Sequence, residues 1–393
     1  MIESVLIENY KSIQKLEIAL GRVTVLIGAN GSGKSNILEA TAFASAAAND
    51  KLDNEFLTSR GIRVTDDPRF MRSAFDEENI SKDIIIKAQG EEQAFQCVLQ
   101  KDNDKPYSSW IDKIRVAREE LIWIDKIRVA REEFIRNSLA ISPASALKDK
   151  KLISDIIRNT SQNILLTSID LLNLNDFLIY SPENSSLRTF EQEGQIQPLG
   201  IKGEGLFKLL RVLSSEENKK RLEEIKSKLK LIDWFNDFDV SRNLAPQERS
   251  IRIKDKYLDE KLEYFDQKSS NEGFLFLLFY FCLFVSSDTP KFFAVDNIDA
   301  SLNPKLCSQL MIELSDLAEK YDKQVIFTTH NPAILDGLNL NDDNQRLFAI
   351  TRNKLGHTKA ERILKPKPLN GKEPVRLSEA FLRGYLGGVP KNF

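Results

Sequence analysis

Apolar and polar positions alternate in a way that predicts an α/β chain. Residues 4–7 and 16–20 are typical of short strands, and Val23–Ile27 is a continuous apolar run. Such a run, rich in β-branched residues, is typical of a strand buried on both faces. A glycine-rich stretch follows it, and residues 36–48 are rich in helix formers. The order predicted near the start is therefore strand, loop, helix.

The last third returns to the same alternation of strands and helices. In that third, helices are predicted at 274–285 and 303–321, and strands at 291–295, 324–328 and 346–352. In the amino-terminal part, an antiparallel pair of strands is also predicted, at 84–87 and 95–99. Two α/β segments thus flank the middle of the chain. We interpret them as one discontinuous nucleotide-binding domain with an insertion.

The middle of the chain is charged and has helical periodicity over 105–165 and 205–265. Within it, WIDKIRVAREE occurs at 110–120 and again at 123–133. We interpret the repeat as a tandem duplication in a tolerant surface segment, and a functional repeat is the alternative. The predicted division is an amino-terminal head part (1–104), a mainly helical insertion (105–265) with head segments near 175–205, and a carboxyl-terminal head part (266–393).

Composition narrows the classes of function. The chain of 393 residues has 56 Lys and Arg against 58 Asp and Glu, which excludes a globally basic nucleic-acid coat. Three cysteines and two histidines do not suit a disulfide framework or a zinc ribbon. The first residues lack a signal-peptide pattern, and the longest apolar run, 274–285, is too short to span a bilayer. We expect a cytoplasmic protein with no membrane partner.

Residues 28–35, GANGSGKS, match the phosphate-loop pattern G-x-x-x-x-G-K-[ST] in full. Glycines there let backbone N–H groups turn toward phosphate oxygens, and the following helix directs its positive end at the same anion. Lys34 is expected to contact the β- and γ-phosphates, and the hydroxyl of Ser35 is expected to bind Mg²⁺. The predicted cofactors are ATP and Mg²⁺.

A second motif, KFFAVDN at 291–297, places Asp296 at the end of an apolar strand. In P-loop proteins this aspartate helps to hold Mg²⁺. Many such ATPases have glutamate next, as the general base, but here the residue is Asn297. An amide orients water but cannot accept its proton. Asp299 is a candidate substitute carboxylate, so ATP binding is predicted firmly and the rate of hydrolysis is left open.

A third strand, within 325–330 (VIFTTH), brings Thr328, Thr329 and His330 toward the same sheet edge. A histidine there can hydrogen-bond the γ-phosphate. The alternative is an ordinary histidine at a strand end. The predicted catalytic residues are Lys34, Asp296, Asn297, Asp299 and His330.

Four segments together resemble the ABC-type ATPases related to RecF, SMC and Rad50 proteins. They are IENYKSI, GANGSGKSN, VDNIDASLNP and TTHNPAILD. The resemblance implies an α/β P-loop ATPase head, with a mixed sheet, flanking helices and helical insertions, and a D-loop at 301–303. It also implies nucleotide contacts from Gly28, Ala29, Asn30, Gly31, Ser32, Gly33, Lys34, Ser35 and Asn36.

The same resemblance predicts a signature motif just before the helix that precedes Asp296. That place reads SSNEGF at 269–274, a degenerate Ser-x-Gly with either Ser270 or Asn271 in the serine's role, followed by Gly273. In the family this motif completes the site of the opposite protomer. The implied assembly is a homodimer, or a higher homo-oligomer, that sandwiches ATP. The alternative is a simple helix cap.

Residues 177–210, the Asp296–Asn297 pair and residues 377–393 are similar to compact ATPases of bacterial antiviral defence, such as the Septu-type subunit and retron-associated relatives. In those systems the ATPase assembles with an effector encoded beside it, often an HNH nuclease. The resemblance therefore implies an effector partner. A neighbouring defence ATPase with another effector is an equal interpretation.

Residues 351–376 carry eight basic residues and two acidic ones. The basic residues are Arg352, Lys354, Lys359, Arg362, Lys365, Lys367, Lys372 and Arg376. A nucleic-acid backbone or an acidic partner surface would suit them, although charge runs are usually solvated faces. No aromatic residues are interleaved for base stacking.

Three hypotheses follow from the sequence. The favoured one is an ATP-binding, slowly hydrolysing ATPase that forms an ATP-sandwiched dimer and controls an effector, a nuclease by resemblance, in antiviral defence. The alternatives are a RecF- or Rad50-like DNA-repair clamp and a non-hydrolysing ATP-bound assembly scaffold, the latter suggested by Asn297.

Overall fold

The computed structural model of the chain describes residues 1–105, 108–115, 173–190, 198–241, 249–365 and 375–387. Its strands are β1 (Ile2–Tyr10), β2 (Ile13–Ala19), β3 (Val23–Ile27), β4 (Ile84–Gly90), β5 (Ala94–Gln100), β6 (Ile111–Asp112), β7 (Ile179–Tyr180), β8 (Phe235–Val240), β9 (Ile251–Asp255), β10 (Phe265–Asp266), β11 (Phe292–Val295), β12 (Gln324–Thr329), β13 (Gln345–Arg352) and β14 (Thr358–Ile363). Its α-helices are α1 (Lys34–Ala48), α2 (Asn54–Ser59), α3 (Asn184–Thr189), α4 (Leu206–Leu213), α5 (Lys219–Leu229), α6 (Glu272–Val285), α7 (Pro304–Lys320) and α8 (Leu377–Leu382).

A six-stranded sheet in the order β14-β13-β3-β12-β11-β7 forms the centre of the head. Its strands from β13 to β7 are parallel, and β14 pairs with β13 in the antiparallel sense. Ile27 lies opposite both Thr329 and Ala349. Because parallel strands end at one edge, the segments after β3, β11 and β12 meet there.

Helix α1 lies between the central sheet and a second, antiparallel sheet of order β2-β1-β4-β5-β6. Alanines at 40, 42, 44, 46 and 47 keep the helix narrow, and twelve of its fifteen residues are buried. The opposite face of the central sheet is covered by α6 and α7. Helix α6 is apolar all round and buried from 274 to 285, as expected of a helix inside the core. The predicted mixed sheet with flanking helices is confirmed.

The prediction of helix throughout 205–265 is wrong for its second half. Helices α4 and α5 are present, but β8, β9 and β10 form a three-stranded antiparallel sheet. In β8, buried Phe235, Phe238 and Val240 are separated by exposed polar residues, a strand-like pattern that the surrounding charge obscures. The ring of Phe235 lies 5.5 Å from that of Phe274 on α6, so this sheet shares the core of the head.

Several predicted segments lie wholly or partly outside the described residues. Most of the first helical insertion and of the duplicated segment falls in 116–172, and Lys367 and Lys372 fall in 366–374. The predicted division of the chain into three ranges stays a prediction. No helix among the described residues is both long and apolar enough to cross a membrane.

Candidate nucleotide-binding site

The phosphate loop joins the end of β3 to the start of α1. Lys34 Nζ donates to the backbone oxygens of Gly28 at 2.8 Å and Ala29 at 3.1 Å, and lies 3.4 Å from His330 Nδ1. His330 follows β12, which is the neighbour of β3 in the sheet. The sheet therefore brings together the lysine and the histidine that the sequence predicted separately.

Two glycines of this loop have conformations or contacts that side chains would prevent. Gly33 has φ 108°, and a Cβ there would lie 2.0 Å from Thr358 Oγ1. A Cβ on Gly28 would lie 2.2 Å from the carbonyl oxygen of Ile350. The loop is thus packed against β13 and β14 at distances only glycine permits.

The predicted metal ligands lie beside each other. Ser35 Oγ is 3.1 and 3.4 Å from the two carboxylate oxygens of Asp296. Buried Thr328 donates its hydroxyl proton to the same carboxylate, and its oxygen accepts from the backbone N–H of Asn297 at 2.9 Å. Asp296 is therefore held in place by the neighbouring strand.

These residues fit Mg²⁺ bound together with phosphate. One hydroxyl and one carboxylate are the hard oxygen ligands that Mg²⁺ takes when nucleotide and water supply the rest. Ser32 Oγ is buried beside them without a hydrogen-bond partner among the described residues, so one donor of the loop is free for an anion. In the described part of the chain no cluster of three or more His, Cys, Asp and Glu side chains offers a dedicated metal cage.

The electrostatics of the site follow from burial. Burial lowers the pKa of Lys34 to about 8, opposed by the charges of Asp296 and Asp299. Burial and the nearby Lys34 ammonium lower the pKa of His330 below its ordinary value. His330 is therefore neutral at pH 7, with one ring nitrogen able to donate and the other to accept.

The residues that would activate water differ in their placement. Asn297 has φ 56°, a left-handed conformation that asparagine tolerates well, and its side chain is exposed in the cavity. Asp299 accepts a hydrogen bond from Thr329 Oγ1 at 2.6 Å. Asp299 does not line the cavity around the phosphate loop, so the substitute carboxylate suggested by the sequence is tied to a strand end.

The cavity has a volume of about 360 Å³. It is lined by the loop residues Asn30, Gly31, Ser32, Gly33, Lys34, Ser35 and Asn36, by Asp296, Asn297 and His330, and by Arg63 and Arg352. Sequence reasoning missed Arg63, which belongs to no motif, and placed Arg352 only in a basic patch. Arg63 is held by the buried carboxylate of Glu39 on α1, a pairing across 24 residues that no local pattern signals.

The signature segment does not line this cavity. Asn271 caps α6 by accepting from the backbone N–H of Phe274 at 2.8 Å. A Cβ on Gly273 would lie 3.3 Å from the carbonyl oxygen of Ser301, so the segment packs against the predicted D-loop. Ser270 is buried, and its hydroxyl donates to the adjacent carbonyl of Asn271 at 3.4 Å. Within one chain these residues act as a helix cap.

The basic residues of 351–365 point to different places. Arg352 lies 5.6 Å from the ring centroid of Phe75 and lines the cavity around the phosphate loop. Arg362 pairs with Asp343, which Arg346 also contacts at 2.9 Å. These two arginines therefore have partners inside the fold, and whether the other basic residues meet nucleic acid, an acidic partner or solvent stays as the sequence left it.

The fold is the α/β P-loop fold of SMC heads, with a mixed sheet and flanking helices. A crystal structure of an SMC head bound to the C-terminal winged-helix domain of ScpA superposes with a TM-score of 0.53 at 14% identity, covering 92% of this chain and 97% of that one. An SMC head from Thermotoga maritima (TM-score 0.45, 15% identity, 92% and 98% coverage) is also similar. A third similar structure is an SMC head bound to the C-terminal domain of ScpA derived from Pyrococcus furiosus. Its TM-score is 0.47 at 13% identity, covering 92% of this chain and 96% of that one.

The chain belongs to the family described as "AAA domain, putative AbiEii toxin, Type IV TA system", whose model matches residues 23–336. That range includes the phosphate loop, Asp296 and His330. No curated protein matches the chain. The likeness to the SMC head confirms the fold class that the sequence resemblance implied, an α/β P-loop fold with a mixed sheet and flanking helices.

Proposed function

We propose that the protein binds Mg²⁺-ATP in the cavity around the phosphate loop and hydrolyses it slowly. The observation that carries the proposal is the meeting of Lys34, Ser35 and Asp296. Asp296 is 261 positions from Ser35 in the chain, yet their side-chain oxygens are 3.1 Å apart. A hydroxyl, a carboxylate and an ammonium beside a glycine loop are the groups that bind a metal-triphosphate.

Each residue then has a defined task. Backbone N–H groups of 30–35 bind phosphate oxygens, and Lys34 exchanges its carbonyl partners for the β- and γ-phosphates. Ser35 and Asp296 would hold Mg²⁺, which when bound neutralises charge on the phosphates. Thr328 fixes the Asp296 carboxylate, and neutral His330 can donate its ring N–H to an oxygen of the γ-phosphate.

Slow turnover is expected because Asp296 is the one carboxylate among the described residues that line the cavity, and it would hold Mg²⁺. The Asn297 amide orients water but cannot take its proton, and Asp299, which accepts a hydrogen bond from Thr329, lies outside the cavity lining. The same observation favours a second candidate, a non-hydrolysing ATP-bound scaffold. Asn297→Asp separates the two, because Asp also tolerates a positive φ. The slow ATPase is supported if the wild type releases phosphate slowly in a way that depends on Lys34, and if Asn297→Asp releases it faster. A wild-type rate at background supports the scaffold.

We also propose that two copies sandwich ATP and thereby control an effector in antiviral defence. Support for the dimer comes from the signature segment, which packs against Ser301 at a place away from its own chain's cavity. Support for a partner comes from the SMC head that superposes with a TM-score of 0.53, whose crystal structure holds the C-terminal winged-helix domain of ScpA. The resemblance of 177–210 and 377–393 to defence ATPases favours a nuclease as that partner.

Calorimetry with ATP and Mg²⁺ tests the nucleotide site. Lys34→Ala is expected to abolish binding, and Asp296→Ala is expected to remove the part of the affinity that depends on Mg²⁺. Lys359→Ala, an exposed lysine on β14, serves as the matched control and should bind normally. Unchanged ATP affinity in Lys34→Ala would refute the site.

Light scattering with and without ATP tests the dimer. Gly273→Asp adds a charged side chain at the signature segment and should leave ATP binding intact while removing ATP-dependent dimerisation. Copurification with the product of the neighbouring gene tests the effector. A DNA affinity that ATP strengthens would favour the repair-clamp alternative instead.

A further inference from the structure

The signature segment, residues 269–274, is attached to a short helix from a much earlier part of the chain. Arg188 on α3 donates through Nη1 to the backbone oxygen of Lys268 at 2.8 Å and to that of Gln267 at 3.3 Å. Those two residues come directly before the segment. Because charge-assisted hydrogen bonds are the strong ones, a guanidinium bound to two successive carbonyl groups fixes where the segment begins.

The link between α3 and the segment is made from both sides. Gln267 is fully buried, and its side chain donates from Nε2 to the backbone oxygen of Arg188 at 3.1 Å. Its Oε1 accepts from the backbone N–H of Ile251 at 2.9 Å. Arg188 Nε donates in turn to Asn184 Oδ1 at 2.7 Å, which aligns the guanidinium along its own helix. Helix α3, strand β9 and the start of the segment therefore meet at the pair of Arg188 and Gln267.

Helix α3 is itself held firmly. Leu187 is fully buried, and a Cβ on Gly203 would lie 2.4 Å from its Cδ2. Phe190, which follows the helix, has φ 50°, a left-handed conformation that a bulky residue rarely adopts. Arg249 Nη1 donates to the carbonyl of Phe190 at 3.2 Å. Strained backbone of this kind persists only where the surrounding contacts over-determine it, so α3 is a fixed support for the segment.

The chain that leads into α3 starts beside the metal side of the nucleotide site. The backbone oxygen of Tyr180, at the end of β7, accepts from the backbone N–H of Asp296 at 2.9 Å. Arg188 is not among the described residues that line the cavity around the phosphate loop. A change at Arg188 is therefore expected to act on the signature segment without removing a group that contacts nucleotide in the same chain.

We propose that Arg188 is a positioning residue for the ATP-sandwiched dimer. Through its bonds to the carbonyl groups of 267 and 268, it holds the signature segment where the nucleotide of the second copy meets it. The inference rests on the proposed function, because it assumes that two copies sandwich ATP. Each dimer contains two such links, one for each nucleotide. Arg188 thus affects assembly and leaves the affinity of a single copy for ATP unchanged.

Two measurements on the full chain separate assembly from nucleotide binding. Sedimentation with saturating Mg²⁺-ATP gives the dissociation constant of the dimer. Calorimetry at a protein concentration below that constant gives the ATP affinity of the monomer. Arg188→Ala should weaken the dimer at least about tenfold, the equivalent of one lost hydrogen bond to a charged group. Its monomer should bind ATP as the wild type does.

Two more variants make the test specific. Arg188→Gln keeps much of the volume of the side chain and one donor group, so it should weaken the dimer less than Arg188→Ala does. It decides the test if the alanine variant does not fold. Lys202→Ala is the matched control, because Lys202 forms an exposed ion pair at 2.9 Å with Glu183, just before α3. The control should form the ATP-dependent dimer as the wild type does.

The outcomes distinguish this inference from the proposed function. A dimer of wild-type strength in the Arg188 variants would overturn the inference and leave the proposed dimer standing. A loss of ATP affinity in the variant monomer as large as the loss of dimer affinity would also overturn it, since that pattern marks a general folding defect. A wild type that stays monomeric with Mg²⁺-ATP would overturn the proposed dimer, and this inference with it.

Discussion

Glu39 is the buried carboxylate that pairs with Arg63, one of the two arginines that line the cavity around the phosphate loop. It lies on α1, one turn after Ser35, and its side chain is 2% exposed. It accepts hydrogen bonds from Lys11 Nζ and the Arg63 guanidinium, and from Tyr10 Oη at 3.3 Å. Glu39→Gln keeps the shape of the side chain and removes its charge, so it isolates the electrostatic part of this cluster.

The size of the expected loss of stability follows from how exposed each partner of Glu39 is. The Lys11 side chain is 12% exposed, and breaking a buried pair costs about 3–5 kcal/mol. Arg63 is 68% exposed, so its guanidinium regains water and adds at most about 1 kcal/mol. Lys11 keeps the carbonyl of Arg63 as an acceptor at 2.8 Å, which offsets part of the loss. We expect Glu39→Gln to lower the free energy of unfolding by about 3 kcal/mol.

Urea unfolding followed by circular dichroism measures this loss. The control is Glu8→Gln, whose partner Lys15 lies at 2.7 Å but is 71% exposed, so its effect should stay within about 0.5 kcal/mol. Burial lowers the pKa of Lys11, and without Glu39 that pKa falls further. A buried lysine with a lowered pKa destabilises the fold while it is charged, and this cost disappears as rising pH removes its proton. The difference in stability between wild type and Glu39→Gln should therefore narrow in alkaline buffer. An equal midpoint for the two variants would refute the reasoning.

Three further predictions concern the phosphate loop and its metal side. ATP affinity should be highest below pH 8 and fall above it, because the pKa of Lys34 is about 8 and its ammonium form binds phosphate; calorimetry on either side of pH 8 checks this. Gly33→Ala should abolish ATP binding, because Gly33 has φ 108° and an added Cβ would lie 2.0 Å from a hydroxyl oxygen. Gly31→Ala, at φ 72° in open space, should only cost about 1 kcal/mol of stability, measured by thermal unfolding. Thr328→Val removes the hydroxyl bonded to Asp296 and should weaken Mg²⁺-dependent ATP binding about tenfold in titrations with and without chelator, while Thr328→Ser should not.

The parts of the site that sequence reasoning found are those fixed by consecutive residues. A buried strand, a glycine loop and a helix start at 23–36 form a local unit, and a strand followed by Asp296 forms another. Their meeting was predictable because parallel strands end at a common edge. The structure pairs Ile27 with Thr329, so β3 and β12 do end at the same edge.

The parts that sequence reasoning missed depend on distant pairs. Arg63 reaches the cavity through Glu39, and the contact of Arg352 with Phe75 appears only when residues far apart in the chain meet. The sequence predicts helix at β8 because the charged surroundings of this strand outweigh its three buried apolar positions. Its fold is decided by packing of Phe235 on Phe274, a tertiary contact that overrides local preference.

The phosphate loop is itself shaped by such distant contacts. Thr358 Oγ1 donates to the carbonyl of Ser32 at 3.0 Å and touches Ser12 Oγ, and Ser12 in turn accepts from Asn36. Ser12 and Thr358 are 346 positions apart, and the Thr358 backbone N–H also donates to the Ser12 carbonyl at 2.7 Å. Because the two hydroxyls bracket Gly33, the loop is held by contacts from both the β1–β2 turn and the β13–β14 hairpin. Nucleotide binding should therefore stabilise the two ends of the chain together.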